Sequence, residues 1–199
     1  APDPSDPKHL FGVDDGNGYV EGNDRWWFVG CWLCQGAWTQ DIYPAIVTLG
    51  RAHLLTGEPD YARRCGILLD RLADVFPEYD FYEQGIMYEE ERTSRGYVVY
   101  WCEIVRQLRE MLIAYDQVFE ALRDDREFLA YVAEMSERHQ TPYRKRSFRD
   151  IQHNIEGRLF GDAVVNQYKI AANYPWPEMY GAVAKLVLAG WPEDPAAMA

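Results

Sequence analysis

The chain has 199 residues, which suits one domain or a part of a larger one. Hydrophobic residues make up 48% of it, enough for a sizeable core, yet no apolar run approaches the roughly 20 residues of a membrane-spanning helix. The 32 acidic and 20 basic residues give a net charge of −12, which argues against nucleic acid as a partner because phosphate binding needs a basic face.

Residues 1–34 are rich in glycine, aspartate and aromatic residues and show little hydrophobic period, so they predict an extended aromatic-rich N-terminal segment. Residues 25–30 within it are compatible with a short strand or with a pad packed on a helical body. Cys31 and Cys34 form a C-x-x-C pair, for which a disulfide, a metal site and two free thiols all stay open. Cys65 and Cys102 fall on apolar helix faces and are predicted to lie in the core.

The next segment predicts an αα-hairpin over residues 39–76. Apolar residues recur at helical spacing over 39–56, and Gly57 is expected to end this first helix. Asp60 is expected to cap a second helix, which stops before Pro77. Because the connection is very short, the two helices must be antiparallel neighbours.

Four further helices are predicted after a long aromatic and acidic loop at 77–96. They cover residues 97–123, 125–139, 147–165 and 177–189. The apolar stripe of the first of these is wide, which indicates burial against two neighbours. Six helices without a convincing sheet predict an all-α fold. Irregular hairpins with long loops on one side favour an incomplete (α/α) toroid over residues 35–199.

The loop before the last helix is the most informative candidate site. Asn173 lies there between two helices, beside Tyr174 and Trp176, and Glu178 opens the helix that follows. An amide in this setting can donate to a substrate carboxylate, and neutralising a uronate carboxylate acidifies the C5 proton that a β-eliminating lyase removes. Asn173, Tyr174 and Glu178 are therefore the candidate catalytic residues. The alternative is that Asn173 is a turn residue and Glu178 a charge that suits a helix start.

Several basic, aromatic and polar side chains are candidates for substrate binding. The one local basic cluster, at residues 143–149, has the potential to attract an anionic sugar, although such a run is also typical of a solvated helix entry. The candidates are Trp176, Arg95, Tyr97, Arg146, His153, Asn154 and Arg158. We expect no metal site and no cofactor.

These features together resemble the helical domain of heparinase II/III-type polysaccharide lyases. The resemblance covers about residues 35–190 and is carried by Gly36-Ala-Trp-Thr-Gln-Asp-Ile-Tyr43, Leu55-Thr-Gly-Glu-Pro-Asp-Tyr61, the helix with Asn154 and Arg158, and the Asn-aromatic loop. It implies metal-independent β-elimination of a uronic-acid polysaccharide, with Asn173 as carboxylate neutraliser and Glu178 as a polar cleft residue.

The resemblance also sets expectations about the rest of the protein. It implies an anionic polysaccharide or oligosaccharide as partner, a further C-terminal domain, and a periplasmic or secreted location. Pro177 stands where the family pattern often has His, and in that family a tyrosine from a later helical pair acts as acid and base.

Two other functions are compatible with the sequence. One is a non-catalytic helical scaffold that binds sugars or proteins through an aromatic concave face. The other is a toroid glycoside hydrolase, which needs two carboxylates across a cleft. Its candidates are Asp41, Glu83, Glu103 and Glu178.

Overall fold

The computed structural model of the chain describes residues 19–26, 37–78, 103–141, 143–170 and 172–188. These residues are helical apart from turns and one short antiparallel hairpin, in which β1 (Tyr19–Glu21) pairs with β2 (Asp24–Trp26) around Gly22. The predicted all-α class is therefore confirmed. Of residues 25–30, for which a strand and a pad both stayed open, the first two lie in β2. Residues 27–30 lie outside the described ranges, as do Cys31, Cys34 and Cys102.

The predicted αα-hairpin is present as α1 (Tyr43–Thr56) and α2 (Pro59–Val75), with a π-helical turn at Ala37–Ile42 before α1. Gly57 ends α1 in the left-handed conformation, with φ 70°, and its N–H donates to the His53 carbonyl at 2.7 Å. The expected cap at Asp60 is wrong. Pro59 already occupies the first helical position, where its fixed φ suits a helix, so Asp60 lies in the first turn and pairs with Arg64.

The longest helix, α3 (Ile104–Arg123), lies at the centre of the fold and packs against α1, α2 and α7 (Trp176–Val187). The sequence predicts burial of its wide apolar stripe against two neighbours, and the structure shows three. Gly50 permits the close approach of α1, because a Cβ there would lie 2.9 Å from the Ala114 Cβ. Residues 97–102, where the sequence predicts the start of this helix, lie outside the described ranges.

The remaining helices surround this centre. Asp125 caps α4 (Arg126–Arg138) by accepting hydrogen bonds from the backbone N–H groups of Glu127 and Phe128 at 2.9 Å. The helix predicted over 147–165 is divided into α5 (Phe148–His153), a π-helical stretch (Asn154–Gly161) and α6 (Asp162–Val165), followed by a 3₁₀ turn at Gln167–Ile170. Ser147 begins α5 with a reciprocal capping box to Asp150.

The core lies between α1, α2, α3 and the stretch from α5 to α7. Its largest fully buried side chains include Trp38, Tyr115, Tyr180, Phe76, Phe128 and Phe160. Two of these rings carry polar groups that have partners: the Trp38 indole donates to Gln107, and the Tyr180 hydroxyl donates to the Phe160 carbonyl. Among the helices that the structure describes, none has the length and apolarity to span a bilayer.

Candidate functional site

The loop that precedes α7 presents its side chains to solvent. Asn173 and Tyr174 are both exposed, Tyr174 to 82%, and Trp176 at the start of α7 is exposed to 36%. The backbone of the loop is tied to the helix, since the Trp176 N–H donates to the Asn173 carbonyl at 3.1 Å and the Met179 N–H donates to the Pro175 carbonyl at 3.0 Å. An amide and two aromatic rings are thus held at one place on the surface.

Arg109 of α3 lies directly beside this loop because α7 packs against α3. Its guanidinium carbon lies 5.4 Å from the centroid of the Trp176 ring, a cation–π distance, and its Nη1 lies 3.7 Å from the Met179 sulfur. The side chain of Arg109 is still 17% exposed. The guanidinium and the indole therefore stabilise each other's position at a partly exposed site on the surface.

Three further polar side chains, Tyr43, Arg106 and Glu110, connect Arg109 with α1. The Tyr43 hydroxyl donates to Glu110, and Arg106 Nη1 donates to the Tyr43 hydroxyl at 3.3 Å. The other Glu110 oxygen lies 3.6 Å from Arg106 and 3.9 Å from Arg109. Partial burial and the Glu110 carboxylate raise the pKa of Tyr43, with Arg106 opposing, so the hydroxyl stays protonated at neutral pH.

We name these eight side chains the α3–α7 surface; its members are Tyr43, Arg106, Arg109, Glu110, Asn173, Tyr174, Trp176 and Met179. It combines flat rings, an exposed amide and two guanidinium groups around one carboxylate. Sequence reasoning found the loop but missed the four residues of α1 and α3. The sequence places three of them, Arg106, Arg109 and Glu110, on the charged side of an amphipathic helix, which predicts solvated side chains. The packing of α7 beside this helix cannot be seen from the sequence.

The other predicted site residues on the described surface are dispersed. Glu178 is exposed in the first turn of α7. His153 is exposed at the end of α5, with its Nε2 3.5 Å from Arg149 Nε. Arg146 is exposed, and its backbone N–H donates to the Asp150 carboxylate. Arg95 and Tyr97 lie outside the described residues.

Asn154 lies in the interior, where it binds a buried charge cluster. Its amide nitrogen donates to the carboxylates of Asp70 and Asp74, both at 2.9 Å, and its side chain is shielded from solvent. Lys145 completes this cluster, with its ammonium 2.6 Å from Asp70 and 2.7 Å from Asp74. Lys145 belongs to the basic run that was a candidate for attracting an anionic sugar, but it is buried and ion-paired.

Arg158 lies at the border of the same cluster. Its guanidinium stacks on the Tyr143 ring at 4.2 Å and donates to the Asp74 carbonyl at 3.3 Å. A pocket of about 250 Å³ opens next to the cluster between α2 and α4, lined by residues that include Ile67, Tyr131 and Met135. Because the Lys145 ammonium and the Asn154 amide nitrogen both donate to Asp70 and Asp74, the cluster fixes the segment around Lys145 onto α2. The sequence signal for it was the pair of aspartates one turn apart on the α2 face.

The remaining carboxylates considered for hydrolysis are Asp41, Glu83 and Glu103. Asp41 is exposed in the turn before α1, Glu103 precedes α3, and Glu83 lies outside the described ranges. Within those ranges, no group of three or more His, Cys, Asp and Glu side chains comes together as a metal site would require. Comparisons of the chain with protein-family models, with curated proteins and with solved structures found no match.

Proposed function

We propose that the α3–α7 surface binds a uronic-acid polysaccharide, and that the chain is the helical part of a lyase that cleaves this polymer by β-elimination. The observation that supports the proposal is the exposed amide of Asn173 next to the open rings of Tyr174 and Trp176. Flat aromatic rings stack on the apolar faces of pyranoses, and their polar tips leave room for sugar hydroxyls.

The chemistry begins at the uronate carboxylate. A hydrogen bond from the Asn173 amide neutralises it in part and so acidifies the adjacent C5 proton. Removal of this proton forms the C4–C5 double bond and breaks the bond from C4 to the glycosidic oxygen, which takes up a proton as it leaves. The elimination therefore needs one proton acceptor and one proton donor beside the amide.

Tyr43 and Glu110 supply a pair with these two properties in our proposal. Glu110 accepts the C5 proton, and Tyr43 donates its hydroxyl proton to the leaving oxygen. Because the Tyr43 hydroxyl already donates to Glu110, the proton can return from Glu110 to Tyr43 and restore both groups. Tyr174 is the second tyrosine to test, since it adjoins Asn173 in the chain.

We further propose that the described helices belong to an (α/α) toroid. Two features support this arrangement: α1 and α2 are joined by only two residues and are therefore antiparallel, and α3 is covered by helices from both earlier and later in the chain. Such paired layers leave one side on which connecting loops gather, and the Asn173 loop is one such connection.

The test is cleavage of uronans by the purified chain. Heparan sulfate, alginate and other uronans are incubated with the wild type, and the ultraviolet absorbance of the unsaturated product is recorded. We expect product from at least one polymer, a loss of it in Asn173→Ala, and little change in Asn23→Ala, which removes an exposed amide from the β1–β2 turn. A folded wild type that releases no unsaturated product from any uronan contradicts the lyase proposal.

A non-catalytic binding function is the second candidate, because an exposed Tyr174 and Trp176 are sufficient for stacking without any chemistry. It predicts that the wild type binds a polysaccharide without cleaving it. It also predicts that binding survives Asn173→Ala and is lost in Trp176→Ala. Affinity electrophoresis in gels that contain each polymer measures both outcomes.

A further inference from the structure

We propose that Arg109 binds a second acidic group of the polymer, distinct from the uronate at Asn173, so that the surface selects chains that carry more than one charge. The inference rests on the proposed function and names the substrate class of the same surface. Trp176 links the two groups: its backbone is bonded to Asn173 on one side, and its ring contacts Arg109 on the other.

The packing of Arg109 leaves its hydrogen-bonding capacity largely unused. Its contacts in the described part of the chain are the Trp176 ring, the Met179 sulfur and Glu110. The Glu110 oxygen lies 3.9 Å away, beyond hydrogen-bond distance, and the Trp176 ring offers a cation–π contact and no oxygen acceptor. A planar group held in this way is preorganised for an incoming oxyanion.

The local charge also favours an anion. Two guanidinium groups, Arg106 and Arg109, surround one carboxylate, Glu110, whose Oε2 is already bound by Tyr43. The four side chains therefore carry a net charge of +1, while the whole chain carries −12. This positive site attracts an anion over a short range, while the acidic remainder of the protein repels it. The two effects together orient the ligand.

The chemistry that fits Arg109 is a planar or tetrahedral oxyanion, since the guanidinium donates two parallel N–H groups to carboxylates and similar acceptors. In a polysaccharide this oxyanion is a uronate carboxylate or a sulfate ester. Both use the same contact, and polymers that carry only one of them separate the two sources.

The experiment compares the binding of three polymers by affinity electrophoresis and calorimetry: polyguluronate, which carries only carboxylates, dextran sulfate, which carries only sulfates, and neutral dextran. Arg109→Met keeps an apolar side chain against Trp176. Arg109→Lys keeps the positive charge but lacks the two parallel N–H groups of a guanidinium. Arg138→Met is the matched control because it removes one exposed positive charge from α4. Circular dichroism and urea midpoints confirm that each variant is folded.

We expect Arg109→Met to weaken binding to polyguluronate, to dextran sulfate or to both by about ten-fold or more, as for the loss of a charge-assisted contact. We expect Arg109→Lys to lie in between, and Arg138→Met to bind like the wild type. Binding to dextran should be the same in all four proteins. The polymer whose binding falls more identifies carboxylate or sulfate as the group that Arg109 contacts.

Three results overturn the inference. If Arg109→Met binds both charged polymers as the wild type does, Arg109 does not contact an acidic group of the polymer. The proposed function is then decided separately, by the cleavage assay with Asn173→Ala. If binding to dextran falls as much as binding to the charged polymers, Arg109 only supports Trp176. If the folded wild type binds none of the polymers and no uronan, the proposed function fails and the inference fails with it.

Discussion

The ammonium of Lys145 lies 2.6 Å from the carboxylate of Asp70, in the interior between α2 and the segment that leads into α5. Both side chains are almost completely buried, and the Asn154 amide donates to the same carboxylate. Burying a charge is costly unless it is paired and hydrogen-bonded, so each member of this group depends on the others.

Lys145→Met should therefore destabilise the protein strongly. It leaves the buried Asp70 without its counter-ion and Asp74 with only the more distant Arg71, at 3.7 Å. The loss of one partner from a buried ion pair typically costs about 3–5 kcal/mol. Urea unfolding followed by circular dichroism measures the change. Lys185→Met is the control, because Lys185 is exposed on α7 and should change the free energy of unfolding by less than about 0.5 kcal/mol.

Asp70→Asn in the Lys145→Met background should recover part of this loss, because one uncompensated charge is removed. The four proteins, wild type, two single variants and the double variant, form a thermodynamic cycle that isolates the pair. Equal stability of Lys145→Met and the wild type would show that the buried contact does not exist in solution.

The sequence predicted the end of α1 and the start of α5, but it placed the cap of α2 at Asp60 instead of Glu58. Gly57 supplies the left-handed residue that ends α1, and Ser147 with Asp150 forms a capping box, so three or four neighbouring letters decide each case. The sequence did not predict the π-helical stretch at Asn154–Gly161, because apolar spacing at 3.6 residues does not distinguish it from an α-helix.

The sequence predicted the candidate site only in part, because several of its contacts join residues that are far apart in the chain. The Asn173 loop is contiguous in sequence and could be recognised, whereas Arg109 meets Trp176 only because α7 packs on α3. Lys145 was read with the basic run around it, since its partners Asp70 and Asp74 lie 75 and 71 residues earlier in the chain. Whether the loop binds a sugar stays a prediction.

The burial of Glu156 predicts the sign of a pH dependence of stability. Its carboxyl is buried, it accepts hydrogen bonds from Tyr115 and Gln152 through one oxygen, and its other oxygen has no partner among the described residues. Burial raises the pKa of Glu156 above 4.5, although these two hydrogen bonds oppose the shift. Above pH 4.5 the folded protein therefore holds this proton more tightly than the unfolded chain does.

It follows that the contribution of Glu156 to stability falls as the pH rises from 4.5 through the folded pKa. Glu156→Gln removes the titration, so the stability of the variant relative to the wild type should increase over that interval and then level off. Urea unfolding at half-unit steps from pH 4 to pH 8 measures the difference. A difference that is flat with pH, or that falls, contradicts the raised pKa.

Two glycines should respond to alanine in opposite directions. At Gly50 a Cβ would lie 2.9 Å from the Ala114 Cβ and 3.0 Å from its Cα, so Gly50→Ala should force α1 and α3 apart and cost about 1–2 kcal/mol. At Gly181 nothing lies within 4 Å of the added atom, and Gly181→Ala should stabilise α7 by about 0.5–1 kcal/mol. Thermal unfolding of both variants checks the pair, and equal shifts would refute the close approach of α1 and α3.

Cys65 should resist thiol reagents in the folded protein. Burial raises the pKa of its thiol to about 12, so at pH 8 its reactive thiolate fraction falls by about a thousand-fold relative to a free cysteine. Iodoacetamide labelling with peptide mapping should modify the Cys65 peptide in urea and leave it unmodified in buffer over the same time. Equal labelling in both conditions would place Cys65 at the surface.

The separation of Lys145 from its aspartates also bears on the newly made chain. Lys145 follows Asp74 by 71 residues, and a ribosome that adds 5–20 residues per second needs about 4–14 s to reach it. During that interval α2 is complete, but Asp70 and Asp74 lack the ammonium that donates hydrogen bonds to them. The face of α2 that carries them must therefore stay hydrated. The nascent hairpin thus keeps a soluble, acidic side until Lys145 emerges, and only then can the later helices close over it.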